Sequence, residues 1–294
     1  MTGFAWVDGA VVTREEASVS IDDFAVRYGA ACFETMLARN GRVFRLGAHL
    51  DRLDAGLRAM GVEAPAHALL ERAVRETLDA NALTEASVRL TVTAGSGHAP
   101  ELARAVAPAI LVTADALPPP HAPPRLRVVA TRIDARRPLA AAKTAQFLPY
   151  LLARAEARAA GADEALLLNH DGAIVEAATA NVFLLRAGGL DTPPLADGPL
   201  PGVTRDVVIE IARGLGMPVV ERRLTLADLA LAEAVLLSSS IAGIVTAASV
   251  QASRPEAPGN LDWRARDPQP EAVERLLSAY DAVVRVSTEG NSPR

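Results

Sequence analysis

Hydrophobic residues recur at steps of three and four between residues 46 and 60 of the chain. Side chains with this spacing lie on one face of a helix. The apolar face of the predicted helix carries Leu46, Leu50, Leu53, Leu57 and Met60. The same pattern places His49, Asp51 and Arg52 elsewhere on the helix.

Other patterns predict further helices and strands. Helices are expected at about 65–82 and about 149–160, and another opens at residues 201–205 with a Pro-Gly-Val-Thr-Arg start. From Asp262 the tail is predicted to be a helix followed by a disordered end at 287–294. Runs rich in β-branched residues predict strands at residues 89–93, 109–113, 126–131, 219–223 and 234–237.

Asp-Gly pairs stand between apolar segments at residues 8–9 and 171–172. Such a pair is typical of a tight hairpin turn. We therefore expect the chain to open with a hairpin and to form a second hairpin over residues 164–176.

Five prolines occur within residues 117–125. Proline cannot continue a helix or a central strand, so this stretch is predicted to be a linker between a domain at 1–116 and a domain at 126–294. A length of 294 residues agrees with about two domains.

The composition is that of a globular protein, with 50% hydrophobic and 22% charged residues. Aromatic residues make up only 4%, so Ala, Leu and Val must fill most of the core. A formal net charge of -5 provides no basic field for a phosphate backbone, so nucleic acid is not an expected partner.

Cys32 is the only cysteine in the sequence. This excludes an intrachain disulfide and a cysteine-rich zinc site, and it favours a reducing cytoplasm; no metal site is expected. The first residues lack the features of a secretory signal. Serine, threonine and glutamine interrupt the longest uncharged run, residues 234–253, so we interpret it as core of a soluble protein and expect no membrane partner.

Lys143 is the only lysine among the 30 lysine and arginine residues. It lies between apolar residues. Lysine can form a Schiff base with a carbonyl compound, especially when burial lowers its pKa, and arginine cannot. The alternative is a surface lysine that escaped the arginine bias of the composition.

Three other features are weak when taken alone. Glu176 follows the second predicted hairpin turn, where a solvated carboxylate is the alternative. Val203 and Thr204 begin a predicted helix whose free amides and dipole favour a phosphate, although many helices start in this way. The serines at 238–240 follow a predicted strand, where an ordinary turn is the alternative.

Taken together and in this order, these features resemble the fold-type IV pyridoxal-phosphate enzymes, the aminotransferase class IV family. That family includes branched-chain aminotransferase, D-amino-acid aminotransferase and aminodeoxychorismate lyase. The resemblance extends from about Val7 to Val250. It is carried in register by residues 22–35, 49–53, 143–148, 162–176, 181–183, 202–205 and 238–243.

The resemblance implies an α/β (α+β) fold with a small N-terminal α/β domain and a larger, pseudo-barrel-like C-terminal α/β domain. It also implies the cofactor pyridoxal 5'-phosphate (PLP), a small-molecule amine substrate and a homodimer. Lys143 would bind the cofactor covalently and then move protons at the substrate carbon. Glu176 would keep the pyridinium nitrogen protonated.

The remaining matched residues would bind the cofactor phosphate or the substrate. Tyr28 would line the substrate side of the site. The phosphate would contact Arg52, Val203, Thr204 and Ser240. For Arg52 the alternative is a solvated arginine on a helix face.

Thr35 bears on the choice between members of the family. Aminodeoxychorismate lyases resemble one another in having threonine at this place, whereas branched-chain aminotransferases usually have glycine. We therefore predict a lyase of folate synthesis that releases pyruvate and 4-aminobenzoate, in which Lys143 removes a proton and Thr35 donates one to the leaving group. A threonine that only packs is the alternative.

Several departures bear on the same choice. Leu37 and Ala94 replace arginines that are common in aminotransferases, and Leu148 replaces a tyrosine of the branched-chain enzymes. The carboxylate-binding pair of the D-amino-acid enzyme is not evident around His98. Gln146 replaces a more usual asparagine and leaves the substrate geometry open.

An aminotransferase acting on an amino acid and a 2-oxo acid is the alternative function, because it shares the scaffold. A PLP-binding protein without turnover is a third possibility.

Overall fold

The computed structural model describes residues 3–98, 101–102, 105–120, 122–252 and 260–289. These residues form a mixed α/β structure with three sheets and seven α-helices, which confirms the predicted fold class. The chain divides into two compact units. The N-terminal unit comprises Met1–Pro118, Ala142–Gln146 and Val284–Arg294; the C-terminal unit comprises Pro119–Ala141 and Phe147–Val283. The linker at 117–125 and the domains on either side of it remain a proposal.

The N-terminal unit is built on a six-stranded antiparallel sheet with the strand order β2-β1-β6-β5-β3-β4. The strands are β1 (Phe4–Val7), β2 (Ala10–Thr13), β3 (Ala31–Arg39), β4 (Arg42–Val43), β5 (Ala86–Thr93) and β6 (Ile110–Ala116). Its helices are α1 (Phe24–Tyr28), α2 (Leu46–Ala59) and α3 (His67–Ala80).

The first hairpin turns at Asp8 and Gly9, as predicted. Both residues have positive φ angles, 47° and 107°. A two-residue turn between right-twisted strands needs this left-handed backbone, which Asp and Gly tolerate.

Helix α2 buries the predicted apolar face, including Leu50, Leu53 and Leu57. His49 is buried as well, with 1% of its surface exposed. The prediction that His49 lies away from this face is therefore wrong. The physical reason is a polar partner inside the core, because the ring of His49 pairs with the carboxylate of Glu34 on β3.

Gly56 allows α2 to approach β3 closely. A Cβ at this position would lie 2.8 Å from Cys32 Sγ and 3.4 Å from Ala142 Cβ. Any larger residue would have to displace one of these neighbours. Burial, and secondarily the charge of Glu34, raises the pKa of the Cys32 thiol to about 12, so the thiol stays protonated.

The C-terminal unit contains two five-stranded sheets, ordered β16-β15-β7-β8-β9 and β12-β11-β10-β13-β14. The strands of the first are β7 (Arg125–Ile133), β8 (Glu164–Asn169), β9 (Ile174–Ala177), β15 (Ser249–Ala252) and β16 (Leu261–Arg264). Those of the second are β10 (Asn181–Arg186), β11 (Gly189–Thr192), β12 (Val219–Glu221), β13 (Ala234–Ser239) and β14 (Gly243–Thr246). The helices are α4 (Leu148–Ala159), α5 (Val203–Gly214), α6 (Leu226–Ala230) and α7 (Glu271–Thr288).

An apolar core joins the two sheets of this unit. Leu126 and Leu166 from one sheet pack in the same cluster as Val182, Leu184 and Val235 from the other. A second cluster forms where Ala153 and Ala157 of α4 meet the opposite face of β7 and β8. Small alanines bring this helix close to the sheet, consistent with the low aromatic content.

The helix predicted from Asp262 is wrong. Residues 261–264 form β16, which pairs with β15 and buries Trp263, and α7 begins only at Glu271. The prolines at 268 and 270 oppose an earlier helix start. Of the tail predicted to be disordered, Ser287 and Thr288 belong to α7, and residues 290–294 lie outside the described residues.

The uncharged run at 234–253 contains the strands β13, β14 and β15, not a helix. Among the helices of the described residues, none has the length and apolar character needed to cross a membrane.

Candidate active site

Lys143 lies on a short segment that pairs with the start of β3. Phe33 N–H donates to the Lys143 carbonyl at 2.9 Å, and Ala145 N–H donates to the Ala31 carbonyl at 2.8 Å. Backbone hydrogen bonds therefore fix the position of the lysine main chain. Its amine Nζ lies 4.6 Å from the centroid of the Phe33 ring, within the range of a cation–π interaction.

The same ring contacts a second cation, Arg89 of β5. Its guanidinium carbon Cζ lies 3.8 Å from the Phe33 centroid. Partial loss of water by burial lowers the pKa of Arg89. Arg89 was not predicted as a site residue, although an arginine inside a strand rich in β-branched residues was an available signal.

Thr35 lies on the same face of the sheet as Phe33 and Arg89. It is two residues beyond Phe33 on β3 and directly opposite Arg89 in the β3–β5 pair, and directly opposed residues share a face. The predicted residues Lys143 and Thr35 are thus both associated with the Phe33 face of the N-terminal sheet.

Glu34 points to the other face of β3, towards α2, and is completely buried. Arg52 donates to both of its oxygens, from Nε at 2.8 Å and from Nη2 at 2.5 Å. His49 Nδ1 lies 2.7 Å from Oε2. Burial alone would raise the pKa of Glu34, but the hydrogen bonds and charges of His49 and Arg52 outweigh it and lower the pKa. Glu34 is therefore a buried carboxylate, and we assign the His49 Nδ1 proton as the donor of their bond.

Arg52 is not the solvated helix residue of the alternative interpretation. Its side chain is 10% exposed and is oriented by Glu34. The sequence signal for this cluster was a glutamate within the mainly apolar run at 30–38 and a histidine three residues before Arg52.

Tyr28 ends the short helix α1 and is 45% exposed. Its ring meets the edge of Phe24 at 5.3 Å between centroids, and the Arg27 guanidinium lies over it. Asp23 caps the start of α1, and Gly29 ends it with a φ of 69°. These caps place an accessible tyrosine on a defined turn.

Glu176 on β9 is a buried carboxylate in the C-terminal unit. One oxygen, Oε2, accepts from the Leu200 amide at 3.0 Å and from the Asn181 side chain at 3.3 Å. The other, Oε1, accepts from the Tyr150 hydroxyl at 3.2 Å. The alternative of a solvated carboxylate at a strand end does not hold.

Tyr150 and Arg137 extend this network and were missed in the sequence. Arg137 Nη2 donates to the Tyr150 hydroxyl oxygen at 2.9 Å. Burial, and then the charge of Glu176, raises the pKa of Tyr150, so the hydroxyl keeps its proton and donates a hydrogen bond to Glu176. Nothing in the spacing of residues between Lys143 and Tyr150 distinguishes this tyrosine in the sequence.

The start of α5 has the form expected of an anion site. Gly202 caps the helix without a side-chain hydrogen bond, and the buried residues Val203 and Thr204 follow it. A Cβ at Gly202 would collide with the amide oxygen of Asn181. Glycine is thus required where the helix start lies beside the Glu176 network.

The serine turn after β13 belongs to the same unit. Ser238 faces Asn181 across the β10–β13 pair, and its hydroxyl is buried with no hydrogen-bond partner among the described residues. The predicted residue Ser240 is partly exposed in the turn that follows. An unsatisfied hydroxyl, a glycine-lined helix start and a buried acid suit a ligand with both an anionic group and a basic ring nitrogen.

Comparison with known proteins supports the predicted family. The sequence model of the family described as Amino-transferase class IV matches residues 31–250. A Methanocaldococcus jannaschii protein provisionally named a branched-chain-amino-acid aminotransferase is 35% identical over 247 residues, which cover 82% of this chain and 85% of that protein. The branched-chain aminotransferase of Thermoproteus uzoniensis, solved with norvaline, has a TM-score of 0.85 at 29% identity, covering 97% of this chain and 96% of that one.

The predicted lyase function is contradicted by these relatives. The Escherichia coli branched-chain-amino-acid aminotransferase is also 31% identical, over 84% of each chain. A Legionella pneumophila protein provisionally named a 4-amino-4-deoxychorismate lyase is 24% identical with a TM-score of 0.80, over 92% of this chain and 97% of that one, and shows the fold alone. One threonine at position 35 cannot outweigh similarity over most of the chain, so the elimination step assigned to Thr35 falls with the lyase prediction.

The cofactor prediction is confirmed. Another branched-chain aminotransferase, solved with pyridoxamine 5'-phosphate, has a TM-score of 0.84 at 28% identity, covering 97% of this chain and 95% of that one. The buried acid and the glycine-capped helix of the C-terminal unit suit the same group. The chain therefore belongs to the aminotransferase class IV family of PLP-dependent enzymes.

Proposed function

We propose that the protein is an aminotransferase that moves an amino group between a branched-chain amino acid and a 2-oxo acid. The observation that carries this proposal is the similarity, at 31 to 35% identity over more than four fifths of the chain, to proteins named branched-chain aminotransferases. The site residues supply the groups that such a reaction needs.

Lys143 is the proposed catalytic residue. When bound, PLP supplies an aldehyde that accepts the amino group and a ring that withdraws electrons from the substrate carbon. The Lys143 amine would hold this aldehyde, and as a free base it would move a proton at the substrate Cα. Hydrogen bonds between its backbone and β3 fix the main chain of this residue, and its amine Nζ lies over the Phe33 ring.

Glu176 is the proposed partner of the cofactor ring nitrogen. Its oxygens accept hydrogen bonds from Tyr150, Leu200 and Asn181, and a carboxylate favours a protonated nitrogen next to it.

Arg52, the amides of Val203 and Thr204, and Ser240 are the proposed phosphate ligands. A guanidinium offers several donors in one plane, and the first amides of a helix offer donors together with the positive end of the helix dipole. The collision of any side chain at Gly202 explains why the helix starts with glycine.

Tyr28 and Arg89 are proposed to face the substrate. Every amino acid and 2-oxo acid carries a carboxylate, and Arg89 places a positive charge on the ring that also contacts Lys143. Tyr28 provides an exposed aromatic surface for an apolar side chain.

The test is a half reaction with the purified, PLP-loaded protein. Leucine, isoleucine or valine should convert the bound cofactor to pyridoxamine phosphate and release the 2-oxo acid, as followed by absorbance and by product analysis. Lys143→Ala serves as the control and should show no catalytic turnover. Retention of the original absorbance with all three amino acids would contradict the proposal and favour a PLP-binding protein without turnover.

A homodimer in the cytoplasm belongs to the same proposal. Helix α4 exposes the apolar residues Leu148, Leu151 and Leu152, which share one face of the helix. A second copy of the chain would bury them. Light scattering should give twice the mass of one chain, and cell fractionation checks the location.

A further inference from the structure

We propose that Glu34 and His49 are positioning residues that hold the Arg52 guanidinium in place for the phosphate of PLP. This inference rests on the proposed assignment of the phosphate to Arg52. It adds a function for two buried residues that do not themselves touch the ligand.

The cluster is unusual as a means of stabilising the fold. Glu34 is completely buried and His49 nearly so, and taking a carboxylate out of water is expensive. Well-packed apolar residues at such places are often equally or more stabilising. Stability alone therefore does not account for a glutamate on the core face of β3.

The contact between Glu34 and Arg52 defines the orientation of the guanidinium. Both carboxylate oxygens are used, one by Nε and the other by Nη2. Two parallel hydrogen bonds fix the guanidinium plane, so the direction of its remaining donors is fixed as well. The side-chain entropy of Arg52 is then lost on folding instead of on ligand binding.

His49 fixes the carboxylate in turn. Its Nδ1 contacts the oxygen that also accepts from Nη2, so Glu34 is held from two positions on α2. His49 and Arg52 are three residues apart on this helix, so their side chains are neighbours on it. The three side chains form one hydrogen-bonded cluster, and all three belong to the N-terminal unit of the chain.

The test compares PLP with pyridoxal on the apoprotein of the full chain. Both molecules carry the aldehyde that Lys143 would bind, and only PLP carries the phosphate. We expect Glu34→Gln to weaken PLP binding about tenfold to a hundredfold and pyridoxal binding less than about threefold. His49→Asn, a milder change, should weaken PLP binding in the same selective way by a smaller factor.

Asp54→Asn is the matched control. Asp54 is also on α2 and also contacts a histidine and an arginine, His67 and Arg58. We expect this variant to leave the ratio of PLP to pyridoxal affinity unchanged. Circular dichroism checks that each variant folds. If Glu34→Gln does not fold, His49→Asn provides the test.

Two results with Glu34→Gln would overturn the inference. Glu34→Gln, or His49→Asn in its place, could weaken the binding of PLP and pyridoxal equally, which is a structural effect. It could also weaken the binding of neither. A third variant tests the premise: Arg52→Met should remove the preference for PLP, and adding Glu34→Gln should then change little further. An unchanged preference in Arg52→Met would also overturn the inference, whereas the proposed transamination stands or falls on the half reaction of the unmodified protein.

Discussion

Two buried glutamates, Glu34 in the N-terminal unit and Glu176 in the C-terminal unit, are stabilised by different kinds of donor. Glu34 receives hydrogen bonds directly from the Arg52 guanidinium and pairs with His49. Glu176 receives hydrogen bonds from the neutral donors Tyr150, Asn181 and the Leu200 amide. In the second network an arginine, Arg137, is one hydrogen bond further away.

The difference indicates separate tasks for the two carboxylates. A charge matched by a guanidinium at contact distance acts mainly on that guanidinium, which suits positioning. Hydrogen bonds from neutral donors leave the net charge of a carboxylate to act on a nearby titrating group, which suits control of a proton on a ring nitrogen. We therefore expect changes at Glu34 to act on stability and binding, and changes at Glu176 to act on the reaction.

The largest effect should follow removal of the cation from the first network. Arg52→Met leaves the Glu34 charge buried with His49, and breaking a buried ion pair in this way costs about 3–5 kcal/mol of unfolding free energy. Urea unfolding of the apoprotein measures the loss. Arg58→Met, which removes an exposed partner of Asp54, should cost less than about 0.5 kcal/mol. Equal losses of unfolding free energy in the two variants would contradict the expected difference between the buried and the exposed ion pair.

Removal of the charge from the second network should affect the rate. Glu176→Gln keeps the size of the side chain, and we expect kcat of transamination to fall about 10²–10³-fold while PLP stays bound. Steady-state kinetics and the absorbance of the protein measure the two quantities. Glu164→Gln, another buried glutamate of the same unit that contacts Arg154, is the control and should keep nearly full activity. Loss of PLP instead of rate would show that Glu176 acts mainly in binding.

The pH dependence of stability should depend on the first network. The pKa of Glu34 in the folded protein lies below its ordinary value, so its contribution to stability is present above the ordinary pKa and is lost as the pH falls through the lowered pKa. Denaturant unfolding of the apoprotein at neutral and acidic pH should therefore show a smaller acid loss in Glu34→Gln than in the unmodified protein. Parallel pH curves for the two proteins would contradict the assigned charge state of Glu34.

The smallest effect should come from the outer part of the second network. Tyr150→Phe removes one hydrogen bond to Glu176 and leaves the Asn181 and Leu200 bonds in place. We expect kcat to fall by about three- to tenfold, in line with the net value of one hydrogen bond. A loss as large as that of Glu176→Gln would mean that Tyr150 itself contacts the reacting groups.

The sequence predicts those parts of the fold whose patterns are local. Helix α2 is one example, because a single apolar face repeats along it, and the Asp8-Gly9 hairpin is another, because the turn chemistry is contained in two residues. Strand β3 was not predicted. Its residues are buried on both faces, so the polar and apolar alternation that indicates a half-exposed strand is missing.

The site shows the same division. Lys143 stands out by residue type, and Glu176 by its place after a hairpin turn. The pairing of Glu34 with His49 and Arg52 joins a strand to a helix, and the bond from Tyr150 to Glu176 spans 26 residues. Such contacts depend on the tertiary structure and have no spacing signature in the chain. The substrate prediction failed for another reason, because it relied on the identity of the single residue Thr35.

The close approach at Gly56 has a consequence for the choice of cofactor. The position borders Cys32 on β3 and Ala142, the residue before Lys143, and it lies one helical turn beyond Arg52 on α2. The proposed aldehyde anchor and the proposed phosphate anchor are therefore connected through one tightly packed contact. This contact limits changes in the distance between the two anchors. We therefore expect aldehydes whose phosphate arm is longer or shorter than that of PLP to bind more weakly than PLP.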